Sequence, residues 1–157
     1  MNNMISETEI VVRLSAALLV GVFFGLEREL SKRGQGYAGL RTHALVALGS
    51  AVFTLASISF DSGVVDPSRI AAGIVTGVGF LGAGVIYKGT NYVKGLTTAA
   101  NIWTVSAIGM VVGLGLYSIA AYATGLSIII LILGKFFEKK VLKEDIEEDG
   151  DNFSFNS

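Results

Sequence analysis

Nine polar residues, Glu27, Arg28, Glu29, Arg41, His43, Asn91, Thr97, Thr98 and Asn101, have the types that could do chemistry, and they cluster where apolar runs end. An unpaired charge at the edge of an apolar core is costly, so Glu27 is expected to pair with Arg41, with Arg28 or His43 beside them. The alternative is a ligand set. Glu27, with Glu29 and an amide from Asn91 or Asn101, would offer the hard oxygens that Mg²⁺ takes, which makes Glu27 the best metal candidate. Arg28, Arg41, Lys88 and Lys94 surround the same place with positive charge, an environment that suits an anion or an acidic group of a protein partner at least as well. His43 is the single histidine and could sense pH near its ordinary value of ~6.5, or simply hydrogen-bond a neighbour. No nucleophile elbow, P-loop, zinc spacing or paired catalytic acid is visible, so the chain is expected not to be an enzyme. No cofactor is therefore expected, with Mg²⁺ the one candidate.

The elements that must position these residues are membrane helices. The chain has 157 residues, 52% of them hydrophobic, with mean hydropathy +0.62; lipid must be much of its solvent. Net charge is −1, which argues against nucleic acid as a partner. Cys is absent, so disulfides and thiolate chemistry are excluded. A spanning helix needs ~20 mostly apolar residues, and five such spans are expected, at about 10–26, 42–60, 70–87, 96–114 and 118–134. Leu96 to Gly134 holds no charged residue, and Gly113 to Ser118 is the place for a tight turn. The first run carries no basic start and no small-residue cleavage site, so it is expected to be a retained helix.

Charge orients the bundle. Of the twelve Lys and Arg residues, ten lie in the first loop, the third loop and the tail, against Arg13 and Arg69 on the other side. Short cytoplasmic loops collect Lys and Arg, which places the N-terminus outside and the C-terminus in the cytoplasm. The fold expected is an all-α polytopic membrane bundle over residues 1–137. Residues 138–157 form a short acidic tail, a frayed helix and then a disordered end.

Polar stripes and glycine faces run through these helices. His43, Ser50, Thr54 and Ser57 share one face of the second helix, and Thr97, Asn101 and Thr104 line up on the fourth. Such stripes either glue helices together or line a hydrated path. Glycine lets helices approach closely. Gly73, Gly77 and Gly84 on one side of the third helix, with Gly79 and Gly82 on the other, predict a helix sandwiched at the bundle centre. Gly109 and Gly113 repeat the device on the fourth.

Four blocks together resemble the MgtC/SapB family of bacterial inner-membrane proteins. They are Gly25-Leu26-Glu27-Arg28-Glu29, Gly39-Leu40-Arg41-Thr42-His43-Ala44-Leu45-Val46 followed by Gly49-Ser50-Ala51, Ile74 to Ile86, and Gly95 to Ala100 with Trp103. The resemblance covers roughly Glu9 to Phe137. It implies about five helices and a role in adaptation to low magnesium and related stress, including survival in host cells for pathogenic members. It also implies modulation of other membrane machines, such as ion pumps and the proton-driven ATP synthase, with Gly79 to Gly84, Asn91 and Thr97-Thr98-Ala99 as the family's marks. Longer members continue into a soluble domain resembling ACT modules; here a short acidic tail is expected instead. Two readings follow. One is a non-enzymatic modulator of cation homeostasis that contacts another membrane transport or ATPase protein. The other is an ion transporter or channel, with the polar stripes as the path and a homo-oligomer, a dimer in the simplest case, enclosing it.

Overall fold

The computed structural model describes residues 5–31, 38–59, 66 and 68–153, with side chains to Phe137. Lys32, Arg33, Phe60 and Asp61, which entered the charge count and the span boundaries, lie outside the described residues, as do the side chains of the acidic tail. Five helices follow in order: α1 Glu7–Ser31, α2 Leu40–Ser59, α3 Ser68–Gly84, α4 Leu96–Gly113 and α5 Tyr117–Phe153. Two strands of two residues, β1 Tyr87–Lys88 and β2 Val93–Lys94, pair antiparallel between α3 and α4. The chain divides into two compact units, one ending at Thr124 and one beginning at Gly125.

Four helical stretches are long and apolar enough to cross a membrane: α1, α2, α4 and Tyr117–Phe137 of α5. The third helix stops earlier than the sequence suggested. It has 17 residues, because the chain turns after Gly84 with Val85 and Ile86 donating to the carbonyls of Gly82 and Ala83. Such tightened bonds close a helix end. The following hairpin is closed by the Gly89 amide on the Tyr92 carbonyl at 2.9 Å. At its start α3 is capped by Asp66, whose carboxylate accepts the Ser68 amide at 2.9 Å and the Ser68 hydroxyl at 2.8 Å. Those two bonds, the amide first, hold the Asp66 carboxyl below the usual carboxylate range.

Two glycines are fixed by backbone geometry. Gly95 has φ +91° and precedes α4, where a Cβ would collide with the Val85 carbonyl oxygen. Gly115 has φ +79° and closes α4 in a Schellman turn. Its amide donates to Val112 at 2.9 Å, and that of Leu116 donates to Val111 at 3.1 Å. The turn falls inside the glycine-rich segment that the sequence marked.

The core of the first unit is where α1, α2 and α4 touch. α1 buries Ala17, Gly21, Phe24, Gly25 and Arg28, one stripe at helical spacing. A Cβ on Gly21 would lie 2.5 Å from the His43 carbonyl oxygen and 2.6 Å from Ala44 Cα, and one on Gly25 would overlap Leu40 Cα. Gly109 meets the backbone of Ala47 in the same way, and a Cβ on Gly113 would reach Thr54 Cβ at 2.9 Å. α3 differs from expectation. It is not sandwiched: its buried residues are Ile74, Val78 and Gly82, a narrow stripe one residue wide. Only Gly82 of its glycines faces a neighbour, Ala99, while Gly73, Gly77, Gly79 and Gly84 have open space where a Cβ would go.

This contrast gives a test. Gly109→Ala forces backbone against backbone and is expected to destabilise by about 1–3 kcal/mol, whereas Gly77→Ala should leave the unfolding midpoint in detergent within about 0.5 kcal/mol of the parent. Equal effects of the two changes would contradict the packing described.

Candidate functional site

A polar seam runs between α1, α2 and α4, inside an otherwise apolar unit. At one end lies Arg28, 5% exposed although charged. Its Nη2 donates to Thr98 Oγ1 on α4 at 3.0 Å, and its Nη1 lies 4.0 Å from Glu27 Oε2. The Ser31 hydroxyl donates to Glu27 Oε1 at 2.6 Å. Arg28 also stands in the last turn of α1, where the helix dipole favours a cation.

His43 comes next and is fully buried. Its Nδ1 lies 2.8 Å from the Gly39 carbonyl, one turn earlier. A carbonyl only accepts, so Nδ1 carries the proton and Nε2 is left to accept the Asn101 amide at 3.3 Å. The ring is thereby held in one orientation, with Nδ1 as its donor. Further along, the hydroxyls of Ser50 and Ser106 meet at 2.8 Å, and Thr54 donates back to the Ser50 carbonyl at 2.8 Å. Ser57 is buried at the far end of the same face of α2.

The expected stripe on α2 is therefore the buried one. On α4 the buried polar residues are Thr98, Asn101 and Ser106; Thr97 is exposed, and Thr104 satisfies itself on the Ala100 carbonyl at 2.9 Å. The registers differ because Thr97 and Thr104 each stand one position off the face that Thr98, Asn101, Val105 and Gly109 turn inward. Glu27 takes Arg28, not Arg41, as the arginine beside it. Arg41 is exposed on α2, and Glu29 accepts the Leu40 amide at 3.2 Å. Asn91 is exposed in the hairpin.

Mg²⁺ takes near-octahedral oxygen ligands, and these residues do not fit a resident one. Glu27 has a guanidinium as its neighbour, the Asn101 amide is engaged by His43, and Glu29 turns to the start of α2. Among the described residues no group of three or more His, Cys, Asp or Glu side chains converges.

A second polar junction ties the opposite ends of α1 and α4. Arg13 Nη1 donates to the Gly113 carbonyl at 2.8 Å, and its Nε donates to Glu9 Oε1 at 2.9 Å, which also accepts the Tyr117 hydroxyl at 3.0 Å. An arginine on the last carbonyls of a helix satisfies groups that have no intrahelical partner. Sequence reading passed over this junction, and over Gly21 and Gly25. The Gly21-x-x-x-Gly25 spacing was the signal available for the latter.

Fold and seam together define a multi-pass helical membrane protein with a buried polar seam between three helices. The MgtC family profile matches residues 14–140. The chain is 45% identical over 130 residues to YhiD of Escherichia coli strain K12, a provisionally designated magnesium transporter, covering 78% of this chain and 59% of that protein. It is 50% identical over 111 residues to MgtC of Brucella abortus strain 2308, covering 71% of this chain and 45% of that protein. It is 42% identical over 141 residues to MgtC of Salmonella typhimurium strain 14028s, covering 90% and 59%. The chain thus belongs to the MgtC family. It spans between 45% and 59% of the length of these relatives. No solved structure matches it.

Replacing Asn101 by Leu removes the donor to His43 Nε2. The expected loss of stability is about 0.6–2 kcal/mol, read as a shift of the unfolding midpoint in detergent; an unshifted midpoint would mean that the contact contributes nothing.

Proposed function

We propose that this protein is a non-enzymatic membrane component of magnesium and cation homeostasis, active in low-magnesium or stress adaptation. It works as a homo-oligomer that modulates another membrane transport or ATPase complex. The observation that carries this reading is how the seam uses its polar groups. Arg28 bonds Thr98, Asn101 bonds His43, and Ser50 bonds Ser106. Side chains that bond one another across helix contacts hold helices together; a conduction path needs groups that face water and exchange partners. The surface left open is on α3, where Phe80 is 80% exposed and Gly79 and Gly84 face no neighbour among the described residues. A smooth surface of that kind admits another helix closely.

The transporter reading is favoured by one observation, the provisional designation of YhiD as a magnesium transporter. In that case the Ser50–Ser106 and His43–Asn101 contacts open in a second state. The excess of Lys and Arg in the loops at the Arg28 end supports a cytoplasmic position for it, with the exposed Lys88 and Lys94.

Flux into liposomes holding the purified protein separates the two readings, with Mg²⁺, K⁺ and protons tested one at a time. The modulator reading expects no flux above empty vesicles for any of them. A specific flux that Asn101→Leu removes would establish a transporter instead. Growth in low-magnesium medium supplies the second measurement. Glu27→Gln is expected to lower growth at unchanged protein level, and a loss of the protein itself would make the Glu27–Arg28 pair structural only.

A further inference from the structure

An apolar groove of about 730 Å³ runs between α2 and α3. Its lining is apolar along almost its whole length. Arg41 and Thr42 lie at the start of α2, Phe53 lies further down it, and Gly73, Gly77 and Leu81 form much of the α3 wall. The two glycines have nothing within 4 Å of a would-be Cβ, so the wall is backbone-smooth and the space is open. Arg41 is exposed, and α2 begins at Leu40. In its first turn the Leu40 amide goes to the Glu29 carboxylate at 3.2 Å and the His43 amide to the Gly39 carbonyl at 3.2 Å, which leaves the amides of Arg41 and Thr42 at the positive end of the helix dipole, beside the guanidinium.

Length decides what fits. Arg41 to Phe53 is about 18 Å along the helix at ~1.5 Å per residue. One leaflet of hydrocarbon is about 15 Å deep, half of a core of ~30 Å. A groove that starts at a cation and stays apolar for one leaflet matches an acyl chain hanging from an anionic headgroup. A partner helix would need a smooth surface through both leaflets.

The geometry points to a bound anionic phospholipid, its phosphate on Arg41 and the start of α2 and an acyl chain against Gly73 and Gly77. The site does not depend on which reading of the protein's function holds. Arg41 selects the charge, Thr42 adds a hydroxyl that can donate to a phosphate oxygen, and the glycines make room for the chain. A lipid seated there holds α2 and α3 apart at a fixed spacing and covers the α3 surface next to the groove.

The test is native mass spectrometry of the full chain released from bilayers containing phosphatidylglycerol and phosphatidylcholine with identical acyl chains. The parent should retain phosphatidylglycerol in preference. Arg41→Gln should reduce that preference about fivefold, the effect of one cation at a membrane surface, and Lys88→Gln, on the exposed hairpin, should leave it unchanged. Gly77→Leu fills the groove in open space and should lower retention of both lipids while the protein stays folded. Three results would overturn the proposal. One is equal retention of both lipids by the parent, and another is an equal loss from Lys88→Gln, which would mean diffuse attraction. The third is a lipid-free dimer that Gly77→Leu dissociates, which would assign the groove to a second copy of the chain.

Discussion

Close backbone approach between α1, α2 and α4 is the constraint on which the rest of this structure depends. In lipid, apolar side chains gain little by leaving one apolar environment for another, so helix association rests on packing and hydrogen bonds. Gly21 and Gly25 bring α1 onto the backbone of α2, and Gly109 and Gly113 bring α4 onto it as well. Only at that spacing can short side chains reach across. A Ser hydroxyl extends one bond beyond Cβ, and the 2.8 Å contact of Ser50 with Ser106 exists because no larger residue separates the two helices. The Ser50–Ser106 bond across the seam is in this sense a product of missing methyl groups nearby.

The seam also explains how a buried arginine is tolerated. Arg28 is surrounded by three kinds of compensation: a carboxylate at 4.0 Å, a hydroxyl at 3.0 Å and the end of its own helix. None is strong alone. Removing a partner from a buried charge costs more than the pair contributes, so Thr98 and Glu27 act as supports for Arg28 as much as functional groups in their own right. His43 is settled differently, by a carbonyl that fixes its proton and an amide that takes the remaining lone pair.

Much of this was legible in the sequence, and the limits have physical causes. The order of five apolar helices followed from hydropathy, and the α4–α5 turn from its glycines. The α2 stripe was readable because His43, Ser50, Thr54 and Ser57 share a face that also carries Ala47, a small residue where a helix contact needs one. The α4 stripe was misplaced by one position, since Thr97 and Thr98 are adjacent and periodicity alone does not say which turns inward. The glycines of α3 misled for a related reason. A smooth face can mean tight packing or open space, and local sequence carries both with the same letters. Arg41 was paired with Glu27 because both border apolar runs. The neighbour Arg28 was nearer, and α1 turns it inward at the spacing of Gly21 and Gly25. The resemblance located the family from four short blocks, and the family match over residues 14–140 agrees with it.

The two junctions between α1 and α4 have a consequence for how the protein is made. Arg13 bonds a carbonyl 100 residues later in the chain, and Arg28 a hydroxyl 70 residues later. At ~5–20 residues per second of synthesis, α1 waits on the order of 5–20 s before Gly113 exists. During that interval both arginines lie near the ends of a helix whose partner has not been translated, and long side chains there reach for the interface. These two contacts of α1 thus close only when α4 arrives. For that whole period each arginine has only a carboxylate of its own helix to balance it, Glu9 for Arg13 and Glu27 for Arg28.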